Sequence, residues 1–266
     1  MGILLSSLSP CISKALAQII LLSYIPISVK DIKRSMPMQL IARLNEIISE
    51  FHLLKHTFYQ AWSKGELSRE TLQRYAAQYY NQVDAFPCFI SGVHCGKRDE
   101  RTREFCRPPI EVRKILVENL ADEEIHGTDH PALWMQFANG LGASREMVLN
   151  DTPLPETKAM VDTFHDLAQR DWRDGLCALY AYECQVPDVS ASKIAGLKEF
   201  YGIHDERTLE FFTAHQIYDV EHSKQVADLI EKYVDPERAE HATREAAMAL
   251  WGFLDGMCRI GGIVCH

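Results

Sequence analysis

Apolar side chains recur at intervals of three and four residues along most of the chain. The segment LIARLNEIISEFHLLKHTFYQAW follows this rule up to the stop signal at Gly65, so the pattern predicts one helix over 39–63. A second helix is predicted after Ser68, a residue suited to an N-terminal cap, and Pro87 predicts a kink within it. No segment alternates apolar and polar residues with the period of two that a half-buried strand requires.

The same helical periodicity continues to the C-terminus. Four further helical stretches are predicted over residues 111–142, 155–186, 206–234 and 236–260, and Gly127 and Pro131 predict a bend within the first of them. The segment GKRDERTREFCRPP, which precedes the first of these stretches, is charged and aperiodic and is predicted to be a surface loop. There is no repeat and no linker between two domains, so the chain is predicted to be all-α, a single-domain bundle of about seven helices.

The N-terminal residues differ in character from this pattern. The apolar segment 15–27 is too short to span a bilayer and is interrupted by polar residues and a proline. We therefore predict that residues 1–38 form an extension outside the fold, that 39–266 form the helical domain, and that the protein does not associate with a membrane.

Composition limits the classes of partner. The 266 residues are 47% hydrophobic and carry a formal net charge of −9, with no basic run interleaved with aromatic residues, so we expect no nucleic-acid partner. The eight cysteines form no CxxC pair, and a chain of this length does not need disulfides for stability. A reducing, cytoplasmic location is expected.

Three residues of the segment FTAHQIYDVEHSKQ suggest chemistry. His215, Asp219 and His222 are spaced by four and then three residues. A helix turns about 100° per residue, so these positions lie within about 40° of one another, and the three side chains share one stripe. A buried cation would explain the stripe, but polar residues at this spacing also decorate solvated helix faces. Taken alone, the triplet leaves both interpretations open.

Further acidic and imidazole side chains favour the metal interpretation. Glu123 and His130 are seven residues apart, which predicts a shared stripe of one helix, near the apolar Trp134. Glu183 is a lone carboxylate in the apolar segment ALYAYECQVP. Together with the triplet, these residues provide three carboxylates and three imidazoles. This donor set suits two iron or manganese ions in a helical bundle better than zinc or calcium.

The order of these residues resembles a known family. Glu-x6-His, then Glu, then His-x3-Asp-x2-His is similar to the ligand pattern of the heme-oxygenase-like diiron oxidases, which are relatives of thiaminase II and pyrroloquinoline-quinone synthase. The likeness is greatest to the para-aminobenzoate synthases of an alternative folate pathway. It covers about 45–256 and includes the motifs HTFYQAWSKGEL, YAAQYYNQVDAFP and LWGFLD. The N-terminal extension and the loop near 97–110 depart from the family.

The resemblance implies a heme-oxygenase-like fold and an unusual reaction. Two metal ions, Fe/Fe or Fe/Mn, would activate O2 with electrons from a separate donor. The ring of para-aminobenzoate would come from the protein's own Tyr59, and Lys193 would be the amino donor. Tyr75 and Tyr182 match positions near the family's site. By analogy of fold, a homodimer is expected.

The residues alone leave rival functions open. Spacing does not distinguish Tyr59 from a tyrosine that only packs, or Lys193 from a solvated lysine. A thiaminase II-like hydrolase of thiamin salvage would use a nucleophile such as Cys184 and no metal. A non-catalytic helical protein that docks partners through one face is a third class. The amount of bound metal separates the oxidase from both alternatives.

Overall fold

The fold is known from a computed structural model that describes residues 39–98 and 105–264. The predicted N-terminal extension, 1–38, lies outside the described residues. The described part is α-helical apart from one short pair of strands, so the all-α prediction is confirmed. No helix among the described residues is long and apolar enough to cross a membrane.

Eleven α-helices are present in the described ranges, of which nine have eleven or more residues. In chain order they are α1 (Leu40–Glu50), α2 (Thr57–Trp62), α3 (Arg69–Cys95), α4 (Ile110–Glu124), α5 (His130–Gly140), α6 (Arg145–Asn150), α7 (Pro155–Arg170), α8 (Trp172–Glu183), α9 (Val186–Phe200), α10 (Glu206–Tyr233) and α11 (Pro236–Gly261). A 3-10 turn, Leu53–Lys55, separates α1 from α2. Strands β1 (Lys97–Arg98) and β2 (Phe105–Cys106) pair antiparallel between α3 and α4.

The helix predicted over 39–63 is broken near its middle. Two histidines cause the break, because each side chain caps a new helical start. His52 Nδ1 accepts a hydrogen bond from the backbone N–H of Leu54, and His56 Nδ1 accepts one from that of Phe58. These bonds satisfy N–H groups that a continuous helix would have bonded internally. The short helix α2, which carries Tyr59, therefore has its own capped N-terminus.

The stretch predicted over 155–186 is also divided. Asp171 adopts an extended backbone conformation and its side chain accepts from the N–H of Arg173, so α7 ends there and α8 begins. Helix α9 was not predicted. It starts with Pro187 in its first turn, a position that tolerates proline, and it packs on α10.

Helix α8 lies at the centre of the bundle, in contact with α3, α7, α10 and α11. Of its twelve residues, all except Arg173 are buried. A helix that is buried on every side must be apolar all round, and the segment LCALYAY satisfies that requirement. Its last residue, Glu183, is completely buried, so the core helix delivers a carboxylate into the interior.

A glycine brings α9 close to α2. A Cβ atom at Gly196 would lie 2.7 Å from Trp62 Cδ1, nearer than side-chain atoms normally approach. The Trp62 indole N–H donates to the carbonyl of Lys193 at 3.3 Å across the same contact. The absence of a side chain at Gly196 therefore allows α9 to present Lys193 to the residues of α2.

Gly196→Ala should lower the free energy of unfolding by about 1–3 kcal/mol, because the added methyl group overpacks this contact. Gly252→Ala in α11 is the matched control, since a Cβ there meets nothing within 4 Å. The control should gain up to about 1 kcal/mol from helix propensity. Denaturant unfolding of both variants measures the difference, and an equal gain in both would contradict the proposed close contact.

Candidate metal centre

Four helices carry the six residues that the sequence singled out, and all six side chains are buried. Helix α10 contributes three of them. His215, Asp219 and His222 lie on one inward-facing stripe, as their spacing predicts. Because exposed residues occupy the opposite side of α10, this stripe lies on the side of the helix that faces the core.

Glu123 and His130 come together, but they lie on two different helices and not on one as predicted. They do not share a stripe of one helix: Glu123 lies at the end of α4, and His130 is the first residue of α5. The chain turns between them at Gly127, whose φ of +85° is readily available only to glycine. Asp129 caps α5 by accepting from the N–H of Ala132 at 2.8 Å. The prediction of a shared stripe is therefore wrong here, and the bend predicted at Gly127 is a complete break between two helices, although the two side chains do come together.

The six side chains form two groups of three. In each group the candidate ligand atoms lie within 4.8 Å of one another. We call Glu123, His130 and His215 the first triad. Glu183, Asp219 and His222 form the second triad. Helix α10 supplies both groups, so one helix face sets the two groups side by side.

In the first triad, each imidazole has one nitrogen engaged by the protein. His130 Nδ1 lies 2.5 Å from Glu123 Oε2, and His215 Nδ1 donates to the backbone carbonyl of Phe211 at 2.7 Å. That donation leaves the lone pair of His215 on Nε2. Burial and the neighbouring His130 hold the pKa of His215 well below its usual value. His215 is therefore a neutral imidazole, the form that binds metals.

In the second triad, three buried atoms have no hydrogen-bond partner among the described residues: Glu183 Oε2, Asp219 Oδ2 and His222 Nδ1. Burial, followed by the charge of Asp219, raises the pKa of Glu183, and burial also raises that of Asp219. Burial alone would lower the pKa of His222, but the nearby carboxylates of Asp219 and Glu183 raise it to about 9. Unpartnered buried polar atoms are rare and costly, and a divalent cation would satisfy all three. The residues of the second triad therefore fit a metal ion.

Two supporting residues on α4 were missed in the sequence. Asn119 Nδ2 donates to Glu183 Oε1 at 2.7 Å. Asp122 Oδ2 lies 2.9 Å from His222 Nε2. Asn119 lies four positions before Glu123, and Asp122 lies one position before it. All three side chains therefore lie on one side of α4. The spacing i, i+3, i+4 in ENLADEE was the available signal.

A cluster of phenols adjoins the two triads. Tyr59 Oη and Tyr75 Oη are 2.8 Å apart, and Tyr79 Oη donates to Tyr182 Oη at 3.0 Å. The rings of Tyr75 and Tyr79 stack with centroids 5.5 Å apart and link the two pairs. Burial raises the pKa of Tyr59, Tyr75 and Tyr182 well above 10, so these phenols are neutral. The sequence prediction included these three tyrosines, but it missed Tyr79, the residue that connects them.

Lys193 is enclosed by this cluster. Its Nζ donates to Tyr75 Oη at 2.8 Å and lies between 5.1 and 5.6 Å from five aromatic ring centroids. These rings belong to Tyr59, Tyr75, Tyr79, Trp134 and Phe212. Burial lowers the pKa of Lys193 to about 7, so a large fraction is neutral amine at physiological pH. The interpretation of Lys193 as a solvated surface lysine is therefore wrong.

Other histidines have structural roles, and Cys184 lacks reactivity. His52 and His56 act as helix caps. His126 is exposed and contacts Asp122. Burial, followed by the charge of Glu183, raises the pKa of Cys184 to about 12, so its thiol is almost never ionised. A nucleophilic cysteine needs the opposite environment.

Known proteins share much of this chain's sequence. Residues 73–253 match the model of a family described as iron-containing redox enzymes. The chain is 43% identical to a 4-aminobenzoate synthase of Nitrosomonas europaea over 81% of this chain and 89% of the relative. It is 39% identical to a 4-aminobenzoate synthase of Chlamydia muridarum over 88% and 95% of the two chains.

A solved structure confirms the predicted fold. A domain of unknown function with a heme oxygenase-like fold from Shewanella denitrificans has a TM-score of 0.67, at 15% identity, over 83% of this chain and 91% of that one. Both the heme-oxygenase-like fold and the oxidoreductase class follow from these likenesses. The family model covers well over half of the chain, and it covers the whole of α4 to α10. The chain belongs to the family of iron-containing redox enzymes.

Proposed function

We propose that this protein makes para-aminobenzoate (4-aminobenzoate) for folate biosynthesis, with the ring of its own Tyr59 as carbon source and the amine of Lys193 as nitrogen source. The observation that carries the proposal is the enclosure of both groups in one buried cluster beside the two triads. Lys193 Nζ lies 5.2 Å from the centroid of the Tyr59 ring. The names of the relatives with 43% and 39% identity support the product.

The six triad residues would hold the metal ions. Glu123, His130 and His215 would bind one ion, and Glu183, Asp219 and His222 would bind the other. When bound, two such ions supply O2 activation and a strong oxidant, provided that an electron donor reduces them first. The mixed nitrogen and oxygen donors suit iron and manganese, and the family supports iron.

The chain's own residues would prepare the organic groups for reaction. Burial keeps the Lys193 amine substantially unprotonated, and only the unprotonated amine is a nucleophile. The Tyr75 hydroxyl, 2.8 Å from both Tyr59 Oη and Lys193 Nζ, would align the two reactants and accept or release the phenol proton. Tyr59 is 3% exposed, so water has little access to an oxidised ring.

Tyr59→Phe should bind metal normally but yield no para-aminobenzoate, because the phenol to be oxidised is missing. The reduced, metal-loaded protein is exposed to O2 without added substrate, and product is measured by mass spectrometry. Product should not exceed one molecule per chain, because each chain has one Tyr59. Tyr80→Phe is the matched control, since the Tyr80 hydroxyl bonds the exposed Asp84 outside the cluster. Undiminished product from Tyr59→Phe would exclude this ring as the source.

His215→Ala should lose both metal and product, whereas Cys184→Ala should keep both. His215 is a buried neutral imidazole of the first triad, and Cys184 is a half-buried thiol with a raised pKa. Elemental analysis of protein from cells supplied with iron and manganese gives the metal content of each. The reverse pattern, with activity dependent on Cys184 and no bound metal, would favour a thiaminase II-like hydrolase.

Metal loading of the second triad should weaken as the pH is lowered from 8 to 6. The pKa values of Glu183, Asp219 and His222 are raised, so these ligands are partly protonated near neutral pH and must release protons to bind a cation. Each released proton changes the apparent affinity by about tenfold per pH unit. Mn(II) titration of the metal-free protein at several pH values measures the slope. A slope of zero would contradict the protonated state of these ligands.

A further inference from the structure

The second triad has a charged neighbour that is not itself a member of the triad. Asp122 on α4 lies behind His222, with its Oδ2 2.9 Å from His222 Nε2. The opposite ring nitrogen, Nδ1, has no hydrogen-bond partner among the described residues and lies 3.7 Å from Asp219 Oδ1. Only 8% of the His222 side chain is exposed. One nitrogen of His222 is thus bound to Asp122, and the other faces the triad.

We propose that Asp122 is a positioning residue for the metal of the second triad. Its carboxylate fixes the ring of His222 and keeps a proton on Nε2, so that Nδ1 is the nitrogen that binds the metal. This inference rests on the proposed function, because it requires that the second triad holds a metal ion.

The chemistry of a carboxylate determines which nitrogen is free. An ionised carboxylate only accepts hydrogen bonds, so the nitrogen that faces Asp122 must carry the hydrogen. A neutral imidazole has a single N–H, and the lone pair is then left on Nδ1. Without Asp122, the ring could carry its proton on either nitrogen and could rotate about its side-chain bonds. Outer partners of this kind orient a ligating histidine and increase its basicity.

Asp122 is itself held in place. Its other oxygen, Oδ1, lies 2.7 Å from Nδ1 of the exposed His126. Both carboxylate oxygens are therefore engaged, one by His126 and one by His222. The residue also lies inside α4, next to Glu123, so its backbone is fixed by the same helix that supplies a ligand to the first triad.

The effect of Asp122 should be confined to one metal position. Its contact is with His222, whereas the first-triad histidine His215 is oriented by a backbone carbonyl. Glu183 is supported by the neutral amide of Asn119, so Asp122 supplies the charged outer contact in the second triad. Removing the carboxylate should therefore weaken one of two binding events and leave the other unchanged.

The test is titration of the metal-free full-length protein with Co(II), followed by absorption, and with Mn(II), followed by EPR. Wild type should bind two ions per chain. Asp122→Ala should weaken one of the two by about 10–100-fold and change the Co(II) absorption bands of that position. Asp122→Asn should lose less, because the amide oxygen still accepts from Nε2–H. The melting temperature of the metal-free variants should stay near that of wild type.

Glu124→Gln is the matched control. Glu124 is an exposed neighbour on α4, and its substitution removes the same charge without touching His222. If Glu124→Gln weakens binding as much as Asp122→Asn, the effect is one of overall charge and the inference is overturned. It is also overturned if Asp122→Ala binds both ions as wild type does, or if both positions weaken together with a fall in melting temperature.

The design separates this inference from the proposed function. If the wild type and Asp122→Ala both bind two ions equally well, the dimetal proposal stands and the role of Asp122 is excluded. A wild-type protein that binds no ion at the second triad would remove both. Selective weakening at one position, with partial recovery in Asp122→Asn, supports both.

Discussion

The arrangement of the site depends on the burial of ionisable side chains in an apolar bundle. Six acidic and imidazole groups, a lysine and several phenols are buried together around α8 and α10. Removing such groups from water costs several kcal/mol for each uncompensated charge. The protein meets this cost in two ways. Burial lowers the pKa of Lys193 so that much of its amine is neutral, and this amine bonds to a phenol. The triads leave donor atoms that a cation would satisfy.

The sequence predicts the parts of this arrangement that depend on helical geometry. The stripe of His215, Asp219 and His222 follows from spacing alone, and Glu183 is conspicuous because it is a charge in an apolar segment. The all-α class follows in the same way from periodicity. These features are local, since each needs only the rule of 100° per residue and the preference of charge for water.

Other features depend on contacts between distant segments, and for these the sequence alone was insufficient. The break of the first predicted helix rests on two histidine side chains whose capping role is not marked by a standard cap residue. Lys193 looks like a surface lysine until α9 approaches α2 at Gly196 and aromatic rings from α2, α3, α5 and α10 surround its amine. Only the resemblance to a family indicated this residue, and it did so without a physical reason. The structure provides that reason through burial.

The turn between α4 and α5 shows how a correct residue choice can rest on a wrong geometry. Glu123 and His130 were expected on one stripe, but Gly127 ends that stripe and His130 comes back from the next helix. The last two turns of α4, which precede the glycine, make two further contacts. Asn119 and Asp122 reach Glu183 and His222 on two different helices. If α4 had continued through His130, the helix would have extended past the site. Glu123 and His130 would then have been two helical turns apart and would not have been in contact. The glycine thus lets His130 return to Glu123, and the helix that supplies Glu123 to the first triad also supplies the outer supports of the second.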